Sequence, residues 1–239
     1  MIEIKNINMS YGSDYILKSL NYKFKTGLIY GLIGKNGAGK TTLLKVIMRL
    51  IRENQGSIFL DGKCVDNVDF FKIPAVFVSD SPIFYSDLTV REHLLLVCNS
   101  QRVEKKEAIA RIDILLDELK LTKYKNNFPN TLSKGTLQRL NIALGMIRNE
   151  SIILMDEPFN ALDPVQVSAV ETWVLKSKKE GKTLLISSHD IDSLGSICDV
   201  YLILRNGQLL EYMPNKLTKE NIAQIIGDSY GDWRITIAY

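Results

Sequence analysis

No stretch of about 20 consecutive apolar residues occurs in this 239-residue chain, so no bilayer-spanning helix is expected. The first residues, Met1-Ile2-Glu3-Ile4-Lys5, lack the organisation of a signal peptide. Charge of one sign is also scarce. The formal net charge is +3, and the nearest approach to a basic run, Arg102 to Lys106, is interrupted by Glu104, so no nucleic-acid partner is expected. Cysteine is limited to Cys64, Cys98 and Cys198, isolated and odd in number, which argues against a zinc site or a disulfide framework and for a reducing cytosol. Internal repeats and low-complexity linkers are absent. What remains is 46% apolar and 24% charged, enough for one large core or two small ones.

The most specific segment present is Gly34-Lys35-Asn36-Gly37-Ala38-Gly39-Lys40-Thr41-Thr42. It follows an apolar run, Leu28 to Ile33, that reads as a buried strand. It precedes Leu43, Leu44, Val46, Ile47 and Leu50 at helical spacing. Glycines at these positions let the backbone close around an anion, so that its N–H groups and the helix N-terminus point at phosphates. Lys40 adds a charge for the β- and γ-phosphates, and the Thr41 hydroxyl is placed to ligate Mg²⁺. This is the P-loop pattern.

Around it the chain alternates. Residues 2–25 carry two antiparallel-strand patterns, 56–62 a third strand and 75–79 a fourth. From about Thr89 to Asn149 the texture is helical, with Ile109, Ile112, Leu115, Leu116 and Leu119 forming one stripe. Strand–helix alternation then returns: a strand at Ile152 to Met155, a helix after Pro164, a strand at Thr183 to Ser187, and a helix from Asp190 to about Cys198. Val200 to Leu204 should pair with Gln208 to Glu211 across Asn206-Gly207. The expectation is an α/β fold: a P-loop core on a parallel sheet, an N-terminal antiparallel subdomain, and an inserted helical subdomain at about 89–149.

A P-loop enzyme needs a carboxylate at the end of a neighbouring strand and a group to orient the attacking water. In Ile152-Ile153-Leu154-Met155-Asp156-Glu157, Asp156 would sit by the metal and Glu157 would serve as general base. His189, one of two histidines, follows the strand at 183–188, where it would stand over the same crevice and reach the γ-phosphate. His93, inside a helix pattern, reads as structural.

Between these motifs lies Leu132-Ser133-Lys134-Gly135-Thr136-Leu137-Gln138-Arg139, a capped helix start. With it, residues 1–212 resemble the nucleotide-binding subunit of an ABC transporter, leaving 213–239 as a C-terminal extension. The resemblance implies Mg²⁺-dependent hydrolysis of ATP, with Lys40, Glu157 and His189 as catalytic groups. Gly34 to Thr42, Ser133, Gly135, Asp163 and an adenine-stacking Tyr11 would contact nucleotide. It further implies a head-to-tail pair of cassettes, a separate integral-membrane permease, and a place on the inner face of the membrane. In such a pair Ser133 and Gly135 meet the ATP of the opposite subunit. Asn160-Ala161-Leu162-Asp163 resembles the loop that communicates across it, and from the residues alone Asp163 is a helix cap before Pro164.

Two segments depart from the family pattern. Lys134 and Thr136 stand where glycine and glutamine are usual, and the switch-loop glutamine position, counted back from Leu88-Thr89-Val90, falls at Asp80 or else at Ser79; an acid at Asp80 can still ligate Mg²⁺ or orient water. The Ser-Lys-Gly form with an acid in the switch loop resembles a bacterial drug or antimicrobial-peptide exporter group. The segment Ser81-Pro82-Ile83-Phe84-Tyr85 is the expected permease contact. A soluble ABC ATPase of the iron–sulfur-assembly kind and a regulatory nucleotide-binding module are compatible with the same motifs.

Overall fold

The structure is a computed structural model, and it describes residues 1–68, 73–189, 194, 195 and 197–213. Two long strands, β1 (Ile2–Tyr11) and β2 (Asp14–Phe24), pair antiparallel, and β4 (Gln55–Leu60) with the short β5 (Lys63–Cys64) complete a sheet of order β2-β1-β4-β5. Alternation decides its faces: Ile2, Ile4 and Ile7 turn inward, while Glu3 and Lys5 do not. The second sheet has the order β10-β9-β3-β8-β7-β6. It is built from β3 (Ile29–Ile33), β6 (Ala75–Val78), β7 (Ile152–Asp156), β8 (Thr183–Ser188), β9 (Val200–Arg205) and β10 (Gln208–Tyr212). Its pairings are parallel except for the β9–β10 hairpin. Asn206 and Gly207 both adopt positive φ there, as a two-residue hairpin turn requires.

The central strands β3, β7 and β8 are buried along their whole length, which is why they are apolar runs and not alternating patterns. One face of this sheet packs against the antiparallel sheet and α1 (Lys40–Ile47), with Phe24, Tyr22 and Tyr30 in edge-to-face contact. The other face carries the lobe formed by α2 (Val90–Ser100), α3 (Lys105–Glu118) and α4 (Lys134–Met146), inserted between β6 and β7, together with α5 (Pro164–Lys179). The described residues therefore build two cores, one on each side of the sheet.

The helix expected over 190–198 falls largely outside the described residues. Leu194, Gly195 and Ile197 lie in a turn, with the Ile197 N–H donating to the Leu194 carbonyl at 3.2 Å. Along α4 the buried surface is not confined to apolar residues such as Leu140, Ile142, Ala143 and Met146 and takes in Thr136, Gln138, Arg139 and Asn141. The reason is position: the helix is wedged between edge strand β6 and the rest of the lobe, so its polar side chains are enclosed too.

Candidate functional site

Strands β3, β8 and β7 are consecutive neighbours running in one direction, so their C-terminal ends open side by side. The P-loop follows β3, Asp156 and Glu157 end β7, and His189 follows β8. This is the crevice where an open α/β sheet binds its ligand.

In the P-loop, the Ala38 N–H donates to the Lys35 carbonyl at 3.0 Å, closing a turn. Gly39 caps α1 at φ 102°, and a Cβ there would lie 2.6 Å from Cγ2 of Ile16 on β2. No other residue type meets both demands. Lys40 is buried, and its Nζ donates to the Gly34 carbonyl at 2.8 Å while lying 3.5 Å from Oε1 of Glu157. The Thr41 hydroxyl donates to Oδ2 of Asp156 at 2.6 Å. Ser187, on β8 directly opposite Asp156, donates to Oδ1 at 2.5 Å. Both carboxylate oxygens of a fully buried acid are thereby engaged, each by a neighbouring hydroxyl.

Glu157 stands at φ 47°, a left-handed conformation that carries strain in a residue with a side chain. Its N–H donates to Ser187 Oγ at 3.0 Å, and its carbonyl accepts from the Asn160 N–H at 3.2 Å. Oε2 lies 2.9 Å from Nδ1 of His189 and accepts from the His189 N–H at 3.3 Å. The carboxylate is thus held between Lys40 and His189. Phosphate oxygens arriving at the loop would compete for Lys40 and leave Glu157 free to face water. The residues fit Mg²⁺ as well, since Thr41 Oγ1 and the Asp156 carboxylate form one oxygen donor set.

Other residues singled out in the sequence lie apart from this cluster. Asp80 is exposed, two residues beyond Val78, which pairs with Met155; its one described contact is Ser79 Oγ at 3.5 Å. Tyr11 is half exposed at the end of the β1–β2 hairpin, paired with Asp14. Ser133 caps α4 by accepting from the Thr136 N–H at 3.3 Å. A Cβ on Gly135 would lie 2.6 Å from the Ala161 carbonyl, so this glycine permits the start of α4 to touch the loop after Glu157. Asp163 caps α5, its Oδ1 accepting from the Gln166 N–H at 2.9 Å. Thr136 is buried against Ser133 and Arg139, whereas Lys134 is exposed. His93 is buried and hydrogen-bonds only to backbone in the described contacts, in keeping with a structural role.

Sequence reasoning missed Ser187. Its place opposite Asp156 depends on the lateral order of the strands, which no local pattern announces.

The model of the ABC transporter family matches residues 17–160. The chain belongs to the ABC transporter family. It is 30% identical over 210 residues to the ABC-type transporter ATP-binding protein EcsA of Bacillus subtilis, covering 87% of this chain and 85% of that protein. It is 32% identical over 213 residues to the bacitracin transport ATP-binding protein BcrA of Enterococcus faecalis (88% and 68% covered). With the lantibiotic transport ATP-binding protein SrtF of Streptococcus pyogenes it shares 30% over 210 residues (88% and 89%). Among solved structures it superposes on the dimeric bacterial ABC transporter cassette MJ0796 with a TM-score of 0.82 at 28% identity, covering 90% of this chain and 99% of that one. A second MJ0796 structure, a dimer in a post-hydrolysis state bound to ADP and Pi, gives the same TM-score at 27% identity. This chain is accordingly an ATP-binding ABC ATPase of the transporter kind, and the soluble alternative loses its support.

Proposed function

We propose that this ATPase powers export of a drug-like or antimicrobial-peptide substrate through a separate integral-membrane permease, seated on the inner face of the membrane. The observation that carries the reading is the convergence of Lys40, Thr41, Asp156, Glu157 and His189 at the ends of three adjacent parallel strands. Relatives named for bacitracin and lantibiotic transport support the substrate class. Residues 1–212 form the ATPase domain, with the helical subdomain at about 89–149.

Two cassettes work head to tail. Gly34 to Thr42 of one chain hold the phosphates of ATP, Tyr11 stacks on its adenine, and Ser133 and Gly135 of the other chain close over the γ-phosphate, with Asp163 in the loop that reports across the pair. When bound, Mg²⁺ supplies Lewis-acid stabilisation of the phosphate oxygens. Thr41 and Asp156 would hold it, with Asp80 as a further carboxylate. Lys40 places its charge on the phosphates, Glu157 takes a proton from the attacking water, and His189 orients Glu157 and bonds the γ-phosphate. The exposed Ile83 and Tyr85 belong to the permease contact.

The test is affinity purification of the tagged chain from gently solubilised source cells, followed by mass spectrometry. Near-stoichiometric recovery of a multi-span membrane protein is expected. Recovery of soluble assembly factors or ribosomes alone would overturn the transport assignment.

A further inference from the structure

We propose that Asn141 and Gln138 of α4 are positioning residues for ATP hydrolysis, through which the helical lobe holds both loops that carry reacting acids. Three residues apart, the two amides share one face of the helix. Asn141 Nδ2 donates to the Ser79 carbonyl at 2.6 Å, fixing the peptide bond that leads into Asp80. Gln138 Nε2 donates to the carbonyl of Pro158, the residue after Glu157, at 3.1 Å. Both side chains are buried, at 8% and 7% exposure, where an amide that loses its partner is costly. Gly145, one turn beyond Asn141, brings the same helix against β6: a Cβ there would lie 2.5 Å from Cγ2 of Val78.

The segment after β6 is tied at its far end too. His93 Nε2 accepts from the Tyr85 N–H at 3.0 Å, and its Nδ1 lies 2.8 Å from the Thr89 carbonyl, so the ring proton resides on Nδ1. Helices α2 and α4 therefore grip the two ends of residues 79–85. One rigid element, α4, carries Ser133 at its start and holds the Asp80 and Glu157 loops midway. A displacement of its N-terminus, where the second cassette is proposed to bind, moves both acids together. This inference rests on the roles proposed for Glu157 and Asp80.

The experiment uses the full chain with Asn141→Ala and Gln138→Ala, reading ATPase rate against ATP concentration, binding of a fluorescent ATP analogue, and local hydrogen–deuterium exchange. The expected result is a kcat about tenfold lower in each variant, with KM and analogue binding within about twofold of wild type, because the P-loop is not held by α4. Exchange should rise at 79–81 in the Asn141 variant and at 157–160 in the Gln138 variant, and stay unchanged at 34–42. Unaltered exchange at those loops, or kcat within about twofold of wild type, would overturn the proposal. So would a parallel loss of analogue binding and rate with exchange raised throughout α4, which marks a role in stability alone. Should an alanine variant fail to fold, Asn141→Leu and Gln138→Met keep the volume, remove the donor without burying a charge and carry the same test. A wild-type chain that binds ATP without turnover would count against the assigned base, while the exchange pattern still decides the positioning role.

Discussion

Glu157 is where the constraints of the site meet. Its left-handed backbone, the Ser187 bonds beneath it, and Lys40 and His189 on either side of its carboxylate leave little freedom to place the group elsewhere. Lys40 and Glu157 were legible because motif and spacing name them, whereas Ser187 and the two amides of α4 were not, since each acts through a partner distant in sequence. Removing the lysine should weaken nucleotide binding specifically. A charge-assisted bond is worth about 1.5–3 kcal/mol, so Lys40→Ala should raise the Kd for ATP roughly 10- to 100-fold by equilibrium dialysis, with no loss of fold by circular dichroism. An unchanged Kd would remove Lys40 from the phosphate site. The thiols offer a separate check. Cys64 is exposed, Cys98 is buried with its thiol pushed up by burial, and Cys198 is half-buried with its thiol pushed up for the same reason. Thiolate is the reacting form, so one thiol should react rapidly with a disulfide reagent near neutral pH and all three after denaturation. Two or more fast thiols in the native chain would contradict the packing.

Among the strands, apolar runs and alternation placed those of the parallel sheet to within a residue or two, because burial on one face or two imposes distinct periods, whereas the two-residue β5 is too short to show one. Helix α4 was harder to read. Its leucines mark one face, but contacts from α4 to the loops after β6 and β7 bury its polar residues, which no local pattern announces. Gly145 is the sharpest probe of that packing. Gly145→Ala would place a Cβ 2.5 Å from Val78, and the overpacking should cost about 1–3 kcal/mol in denaturant unfolding despite the better helix propensity of alanine. A stabilised variant would mean that α4 does not sit against β6.

The parallel sheet partitions the molecule. The antiparallel subdomain and P-loop helix bury one face, the helical lobe the other, and the reacting groups collect along the edge where the parallel strands end. That layout was legible in outline, since the order of motifs along the chain fixes the order of chemistry. The strand permutation that sets β8 between β3 and β7 was not, because sequence order says nothing of lateral order in a parallel sheet. Hydrolysis of ATP at this edge, with Glu157 as base, stands or falls on Glu157→Gln in the full chain, compared with wild type for steady-state turnover and for bound nucleotide. Turnover should drop roughly 100-fold or more while ATP stays bound. A variant that still turns over within a few-fold of wild type would show that the base lies elsewhere.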